Sequence, residues 1–300
     1  MKQDGVLHLR AHAKINLLLR VGPRRRDGYH GIVTLFQSIS TADHLCIRRR
    51  TGQSAGGLRI DVDDPTVPAD SRNTISKAYA YFCRRHPEAR DDRWEVTLHK
   101  KIPHGSGLGG GSADAAAFLI GAAHLLGVRA LRCSRAAIAR EVGADVPFCL
   151  TGGTALGRGL GECLLRRRPF PAYRVFLVLP NIRISTKEAY DALDRLPRRK
   201  NLTKAVSAHS LKAVDWGIHH KLTPPQCPND FQSQACLAHG EMAQLADRLS
   251  PLGYSAMSGS GSAFFVIPKT GVDLKIIQSA AGRAAGIEAR FARRGVDVMR

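Results

Sequence analysis

A chain of 300 residues with 44% hydrophobic and 23% charged residues has the composition of a soluble globular protein, which excludes a disordered polymer. No apolar stretch approaches the ~20 residues that a membrane helix needs, so a membrane-spanning chain is excluded as well. The formal net charge of +20 predicts an anionic partner: a nucleic acid, a phospholipid or a phosphorylated small molecule. Because the basic residues are scattered and aromatic residues make up only 6%, a dedicated nucleic-acid binder is disfavoured.

The cysteines indicate the compartment. There are seven, an odd number, and none forms a CxxC pair, which favours reduced thiols over a disulfide framework. Cys227, Cys236 and His239 could supply three zinc ligands, but a structural zinc site needs four at tighter spacing. The N-terminal segment lacks an apolar core of signal-peptide length. We therefore expect a cytoplasmic protein without a metal site formed by its own side chains.

Hydrophobic periodicity predicts mainly strands in the first part of the chain and mainly helices later. The expected strands cover about 6–21, with an interruption around 12–16, then 31–50, 58–62, 94–98, 176–179 and 263–267. The expected helices cover about 71–86, 112–126, 133–142, 186–196, 230–249 and 272–284. This order is typical of an α+β fold with a boundary near 165–180. We expect one domain over 1–168 and a second over 169–300, with a polar, basic stretch at 197–228 as an inserted or linking region.

The segment from Lys100 to Ala117 is the most informative. Five of the seven residues from 105 to 111 are glycine, and a helix is expected to follow at once. Without Cβ atoms, backbone N–H groups can close on an anion, and the start of the helix adds free donors and a positive dipole end. Ser112 could cap this helix, and its hydroxyl could reach a phosphate or its metal ion. The loop therefore predicts a triphosphate site.

Other interpretations of the loop are weaker. Gly105, Gly107 and Gly110 satisfy the dinucleotide pattern GxGxxG, but Pro103 separates the strand from the loop and no acidic residue stands about 20 residues further on. The P-loop pattern fails because no lysine follows the glycines. A hinge without a ligand would place five glycines together at up to ~1 kcal/mol each in regular structure, so it is disfavoured too.

Five segments together resemble the GHMP kinases, the family that includes galactokinase, homoserine kinase and mevalonate kinase. They are AKINL from residue 13, DGYH from 27, PHGSGLGGGSADAA from 103, GADVP from 143 and SGSGS from 258. The resemblance runs from about residue 10 to 267. Within the family, DGYH resembles the cytidine-binding turn of the branch that phosphorylates the 2-hydroxyl of 4-diphosphocytidyl-2-C-methylerythritol in the non-mevalonate isoprenoid pathway.

The resemblance implies a fold and a set of cofactors. The first domain would resemble domain 2 of ribosomal protein S5, and the second a ferredoxin-like α/β sandwich. ATP would lie in the glycine loop with Mg²⁺ bridging its phosphates, and no Mg²⁺ ligand is assigned beyond Ser112 as a guess. The expected ATP-binding residues are Pro103, His104, Gly105, Ser106, Gly107, Leu108, Gly109, Gly110, Gly111, Ser112 and Ala113.

The resemblance also implies the catalytic residues. Asp145 would take the proton of the acceptor hydroxyl, and Lys14 would keep it ionised and offset the charge of the moving phosphoryl group. Taken alone, Asp145 would rather be interpreted as a helix-end acid before Pro147. Asn16 would hold the loop. For the cytosine, the resemblance implies Tyr29, His30 and, on a poorer local match, Tyr190; Asn73 would lie near the adenine.

Two departures from the family pattern concern the loop and its neighbour. His12 stands where the family commonly has proline, and Ala113 replaces a frequent second serine. Two alternatives remain open from the sequence. One is a GHMP kinase with a different acceptor, such as mevalonate or homoserine, and the other is a catalytically idle nucleic-acid binder that uses the positive charge.

Overall fold

The computed structural model describes residues 4–52, 56–128, 134–195 and 228–299. Within them lie eleven strands and eight α-helices. The strands are β1 Gly5–Arg24, β2 His30–Arg50, β3 Gly57–Val62, β4 Arg93–His99, β5 Thr154–Gly159, β6 Cys163–Arg166, β7 Arg174–Leu179, β8 Gly253–Met257, β9 Phe264–Pro268, β10 Ala285–Arg290 and β11 Val296–Met299. The helices are α1 Thr74–Arg85, α2 Gly110–Leu126, α3 Arg135–Glu141, α4 Val146–Thr151, α5 Thr186–Asp194, α6 Asp230–Ala238, α7 Gly240–Leu249 and α8 Leu274–Ala281.

The larger sheet is built on a long antiparallel hairpin of β1 and β2. Its strand order is β11-β1-β2-β4-β3, and β5 pairs with β2 while β6 pairs with β5. Only β3 and β4 run parallel among its described pairs. Helix α2 packs on this sheet, and its Ala-rich sequence lets it come close: Gly121 lies so near Leu9 and Ile47 that a Cβ there would meet the Ile47 side chain at 2.6 Å. The sheet and α2 form the main core, which contains Phe36, Trp94 and Phe118.

The smaller sheet has the order β10-β7-β9-β8 and is antiparallel throughout. One of its faces packs with α5, α6, α7 and α8 in a second apolar cluster that includes Phe231, Met242 and Leu249. The two sheets meet through Tyr254 in β8, whose hydroxyl donates a hydrogen bond of 2.7 Å to the carbonyl oxygen of Leu17 in β1. Because β1 also carries site residues, this bond ties the smaller sheet to the site.

The α+β prediction is confirmed, and the local predictions hold for most long elements. The expected break of the first strand is not a gap: β1 is continuous, with register shifts between His12 and Lys14 and between Asn16 and Leu18. The helix expected over 230–249 is two helices, since His239 has extended backbone between them. The periodicity also missed β5, β6, β8, β10 and β11, which are short strands with four to six residues each.

The proposed domain boundary at residue 168 stays a prediction. The larger sheet's β6 ends at Arg166 and the smaller sheet's β7 begins at Arg174, which is compatible with it. However, β11 returns to pair with β1, so the last strand of the chain belongs to the larger sheet. The stretch predicted as an insertion, 197–228, lies outside the described residues apart from Pro228, and so does Cys227.

Among the described residues, no helix is both long and apolar enough to cross a lipid bilayer.

Candidate active site

The glycine loop lies between two other segments of the chain. The backbone N–H of Lys14 donates to the carbonyl oxygen of Leu108 at 2.9 Å, which fixes the loop to β1. On its other side, the N–H of Ala263 donates to the carbonyl oxygen of Ser106 at 3.1 Å, and the Ser258 hydroxyl donates to that of Gly107 at 3.0 Å. The loop is therefore held in place before any ligand arrives.

Two glycines of the loop are required by close packing. Gly107 has a φ of +80°, and a Cβ there would clash with the carbonyl oxygen of Ser258. Gly109 has a φ of +74°, and a Cβ there would lie 2.9 Å from the side chain of Lys14. A left-handed backbone strains any residue with a Cβ, so both positions call for glycine on two counts. The cluster of glycines is thus explained by geometry rather than by a flexible hinge.

Helix α2 begins at Gly110, and Gly109 is its N-cap. The prediction that Ser112 caps this helix is wrong, because Ser112 is the third helical residue. It nevertheless lines the same cavity as Gly109, Gly110 and Gly111. Leu108 and Ala113, also predicted to bind ATP, are fully buried in the main core. The first turn of α2 therefore lines the cavity, whereas Leu108 and Ala113 pack into the core.

Lys14 and Asp145 form an ion pair at the floor of the cavity. The Lys14 Nζ lies 3.1 Å from Oδ2 of Asp145. It also donates to Oδ1 of Asn16 at 2.8 Å and to the carbonyl oxygen of Gly107 at 2.9 Å. The side chain of Lys14 is 4% exposed and that of Asp145 27%. A buried ammonium with three oxygen partners is fixed in position, whereas the carboxylate keeps an accessible side for a substrate.

The local backbone explains why Asp145 is available. Asp145 is the N-cap residue of α4, yet its side chain makes no capping hydrogen bond to that helix. Pro147 near the helix start removes one of the N–H groups that a cap would satisfy. The carboxylate points to Lys14 instead. Asp145 is therefore an acid at a helix end before Pro147, but its carboxylate pairs with Lys14 rather than with the helix.

Asn16 connects the ion pair with the C-terminal glycine motif at 258–262, and Asn229 also bonds to that motif. Oδ1 of Asn16 accepts from the N–H of Gly259 at 2.9 Å, and its Nδ2 donates to the hydroxyl of Thr34 at 2.8 Å. Asn229 donates to the carbonyl oxygens of Met257 and Gly259 at 2.7 and 2.9 Å. The hydrogen bonds of the Asn16 amide therefore go to Lys14, Gly259 and Thr34, which are all groups of the protein. Asn16 is thus a positioning residue for Lys14 in this arrangement.

His30 and Tyr190 form an aromatic pair elsewhere in the cavity wall. Their ring centroids are 4.9 Å apart with 28° between the planes, and the edge of Phe231 packs against Tyr190. His30 is oriented by the carbonyl oxygen of Gly22, 2.9 Å from Nδ1, and by Asp194, 3.4 Å from Nε2. Burial raises the pKa of Tyr190 to about 12, so its hydroxyl is neutral at physiological pH. The pair offers a planar aromatic surface suited to stacking a base.

Tyr29 lies on the same turn but differs in exposure. Its side chain is 54% exposed, and it lines the cavity. The carboxylate of Asp27 accepts its backbone N–H at 3.2 Å, which fixes the turn rather than the ring. The Tyr29 ring is therefore free to cover a ligand that rests on His30 and Tyr190.

A buried charge cluster beneath the glycine loop was missed by sequence reasoning. The Lys100 Nζ lies 2.5 Å from Asp43 and 2.8 Å from Asp114, and Oδ1 of Asp43 also accepts the N–H groups of Lys101 and Ile102. Burial raises the pKa of Asp114 to about 8, since the attraction of Lys100 does not fully compensate for it. Asp114 stands directly in the glycine segment, but its partners come from β2 and the residue after β4, so no local pattern indicates the contact.

His12, one of the departures from the family pattern, has a structural role. Its ring nitrogens lie 3.0 Å from the carbonyl oxygen of Ile39 and 2.8 Å from Asp297 of β11. The other departure, Ala113, is buried without contact to the cavity. Asn73, expected near the adenine, caps α1 through the N–H of Ile75 and also lines the cavity. Neither departure removes a group from the cavity.

One cavity of about 920 Å³ joins these parts. Its lining includes Lys14 and Asp145, the glycine loop, and the His30–Tyr190 pair. The volume lies at the upper end of the range that is usual for small-molecule sites. A carboxylate with a cation beside it, next to an anion-binding loop, is sufficient protein chemistry for phosphoryl transfer to an alcohol.

The fold and the site define a GHMP kinase. A family model described as "GHMP kinases N terminal domain" matches residues 73–153. A homoserine kinase from Cytophaga hutchinsonii shares the fold at a TM-score of 0.67 and 20% identity, covering 98% of this chain and 97% of its own.

More specific relatives narrow the family. The 4-diphosphocytidyl-2-C-methyl-D-erythritol kinase of Moorella thermoacetica is 37% identical over 91% of this chain and 94% of its own length. The enzyme of the same name from Acetivibrio thermocellus is 34% identical over 87% and 89%. A crystal structure of 4-(cytidine 5'-diphospho)-2C-methyl-D-erythritol kinase superposes with a TM-score of 0.71 at 29% identity, covering 96% of this chain and 99% of the other. The chain belongs to the 4-diphosphocytidyl-2-C-methyl-D-erythritol kinase family.

Proposed function

We propose that this protein transfers the γ-phosphoryl group of ATP to the 2-hydroxyl of 4-diphosphocytidyl-2-C-methyl-D-erythritol, a step in the formation of isoprenoid precursors. The observation that carries the proposal is a single cavity lined both by the Lys14–Asp145 pair and by the stacked aromatic pair of His30 and Tyr190. Mevalonate and homoserine have no base to stack, so a stacking surface supports the cytidyl acceptor over either of them.

In the proposed mechanism, Asp145 accepts a hydrogen bond from the acceptor hydroxyl and takes its proton as the phosphoryl group is transferred. Lys14 stays charged throughout, because Asn16 and the Gly107 carbonyl hold its ammonium in place. Its charge keeps Asp145 ionised and offsets negative charge that builds up on the transferred group. Phosphoryl transfer depends mostly on positioning and charge neutralisation, and both are provided by groups that are fixed beforehand.

The proposed ATP site is the glycine loop and the first turn of α2. The loop lines the cavity with backbone atoms, and a helix N-terminus offers unpaired N–H groups and a positive dipole end. When bound, Mg²⁺ would neutralise phosphate charge; among the described residues, no group of three or more His, Cys, Asp or Glu side chains could hold a metal ion alone. This fits a Mg²⁺ ion held largely by phosphate oxygens and water, with the Ser112 hydroxyl as the protein ligand nearest the loop.

We also propose that the protein works in the cytoplasm. Cys46, Cys83, Cys149 and Cys163 are thiols in the described part of the chain, and two of them are buried. Burial raises the pKa of the Cys149 thiol, which keeps it protonated and unreactive. Reduced, buried thiols are typical of a reducing compartment.

The test is ADP release by the purified protein with Mg-ATP and each of three acceptors: the cytidyl diphosphate compound, mevalonate and homoserine. We expect turnover with the cytidyl compound alone. Turnover with mevalonate or homoserine would support a kinase activity but refute the proposed cytosine site. If folded protein binds ATP but turns over none of the three, the proposed reaction is wrong, and salt-dependent binding to RNA becomes the next measurement.

A further inference from the structure

Arg140, in the last turn of α3, is a cation of the cavity wall that the proposed mechanism does not use. It lines the cavity, and its side chain is 61% exposed. Its partner in the structure is Asp27, with the Arg140 Nη2 and the Asp27 Oδ2 4.0 Å apart. Asp27 has a closer cation in Arg25 at 2.9 Å. The Arg140 guanidinium is therefore only weakly engaged, since exposed ion pairs at this separation contribute little.

The backbone holds Arg140 close to the catalytic carboxylate. After α3 ends at Glu141, the N–H of Gly143 donates back to the carbonyl oxygen of Ile138 at 3.1 Å, and the N–H of Val146 donates to that of Gly143 at 3.1 Å. These bonds close a tight turn that leads from Arg140 to Asp145. The backbone of Arg140 thus lies beside the segment that carries Asp145. Its side chain extends to Asp27, on the turn that carries Tyr29 and His30.

The substrate of the proposed reaction needs a cation at this place. Its cytosine would lie against His30 and Tyr190, and its reacting hydroxyl beside Asp145. The diphosphate joins these two parts of the molecule, so it must run between the two places. Arg140 lies between the same two places, the turn of His30 and the segment of Asp145. A guanidinium can donate two parallel hydrogen bonds to phosphate oxygens, which a lysine ammonium cannot do with the same geometry.

The other cations of the cavity are less suited. Lys14 is engaged by Asp145, and Lys100 by Asp43 and Asp114. Arg72 makes a two-pronged ion pair with Asp70, at 3.0 and 2.8 Å, on the side of Asn73. Two rivals remain. Lys187, in the first turn of α5, lines the cavity near Tyr190. Arg24, at the end of β1, lines it as well, and its Nε donates to the carbonyl oxygen of Gly28 at 3.1 Å.

We propose that Arg140 binds the diphosphate of the cytidyl substrate and so makes the acceptor site selective for nucleoside diphosphates over the bare nucleoside. Asp27 is then the partner of Arg140 in the absence of substrate. When the substrate enters, the guanidinium leaves Asp27 and binds phosphate oxygens. This inference rests on the proposed function, because it takes the positions of the cytosine and of the reacting hydroxyl from it.

The test compares the affinities of cytidine, CMP and CDP for the protein without ATP, by isothermal titration calorimetry. We expect Arg140→Ala to weaken CDP binding by about tenfold, the range for a hydrogen bond to a charged group, and to leave cytidine binding unchanged. Arg140→Lys should recover only part of the loss. The matched control is Arg135→Ala, which removes an exposed arginine at the other end of the same helix.

Kinetics provide a second readout. Arg140→Ala should raise KM for the cytidyl diphosphate substrate about as much as it weakens CDP binding, with KM for ATP unchanged and kcat nearly so.

Five results would overturn the proposal, the first being a loss of CDP affinity in Arg24→Ala but not in Arg140→Ala. If Arg140→Ala and Arg135→Ala bind CDP equally well, Arg140 does not bind the diphosphate. If cytidine and CDP weaken by the same factor, Arg140 acts on the turn rather than on phosphate. If Lys187→Ala alone loses CDP affinity, the diphosphate ligand is on α5. If the wild-type protein binds neither cytidine nor CDP, the cytidyl site of the proposed function fails and this inference with it.

Discussion

The two ends of the cavity are built in different ways. At the loop end, backbone atoms of the glycine segment are held by β1 and by the motif at 258–262, and Lys14 is almost fully buried. At the base end, the surface consists of side chains: His30 at the start of β2, Tyr190 in α5 and Phe231 in α6. Tyr29 completes this end with an exposed ring. The loop end is fixed by hydrogen bonds within the protein, whereas the base end includes an exposed side chain.

This difference matches what each end has to recognise. A phosphate chain is the same in every kinase of the class, so a fixed set of backbone donors serves all of them. The acceptor differs from one kinase to another, and side chains from separate elements can change one at a time. Substitutions at the loop end should therefore abolish catalysis or ATP binding, while those at the base end should change the preference for the acceptor.

The largest expected effect is at the boundary between the two ends. Asp145→Asn should lower kcat by at least ~10²-fold, because the amide cannot take the proton of the acceptor hydroxyl. ATP affinity should stay near that of the wild type, measured by equilibrium titration. The exposed Asp247→Asn on α7 is the control, with expected wild-type activity. Retained turnover in Asp145→Asn would contradict its role as the base.

The next effect tests the rigidity of the loop end. Gly107→Ala should raise KM for ATP at least ~10-fold and cost about 1–3 kcal/mol of stability, because the new methyl group meets the Ser258 carbonyl. Gly105→Ala is the matched control. Gly105 has a similar φ of +69°, but a Cβ there would meet open space. Its cost should be limited to about 1–2 kcal/mol of backbone strain. Equal losses in kinetics and in thermal unfolding would refute the packing argument.

A smaller effect is expected at the base end. Tyr190→Ala removes the ring that stacks on His30 and should raise KM for the cytidyl substrate by about three- to tenfold, as expected for one aromatic contact. Its kcat and its KM for ATP should change little. Tyr190→Phe keeps the ring and should resemble the wild type in steady-state kinetics. A loss of kcat without a change in KM would place Tyr190 outside the acceptor site.

The smallest effect on activity is expected at Asp114, where the prediction concerns the pH dependence of stability. Burial raises the pKa of Asp114 to about 8, so the folded protein holds this proton more tightly than the unfolded chain does. Stability should then be greatest below the unfolded value near 4 and decline as the pH rises to about 8. Asp114→Asn should flatten this decline in thermal melts between pH 5 and 8.5. An unchanged slope would show that Asp114 stays ionised when folded.

Local sequence indicates the loop end more directly than the base end, for which the family resemblance supplied Tyr29, His30 and Tyr190. The glycine cluster, Lys14 and Asp145 lie in short motifs whose chemistry is evident from neighbouring residues. The stacking of His30 on Tyr190 joins positions 160 residues apart, and the Lys100 cluster joins three separate elements, so neither is visible in a local pattern. Strands such as β6 and β11 have four residues and gain their hydrogen bonds from partners elsewhere, which periodicity cannot reveal.

The central claim is that the cavity holds the base at one end and presents the 2-hydroxyl to Asp145 at the other. A proton-coupled ³¹P NMR spectrum of the product tests this most directly. The 2-carbon of the methylerythritol bears no hydrogen, so we predict a new phosphomonoester signal without a three-bond proton splitting, beside an intact diphosphate. A doublet or a triplet would place the phosphate on a neighbouring hydroxyl, and a triphosphate pattern would place it on the nucleotide; each would contradict the proposed geometry.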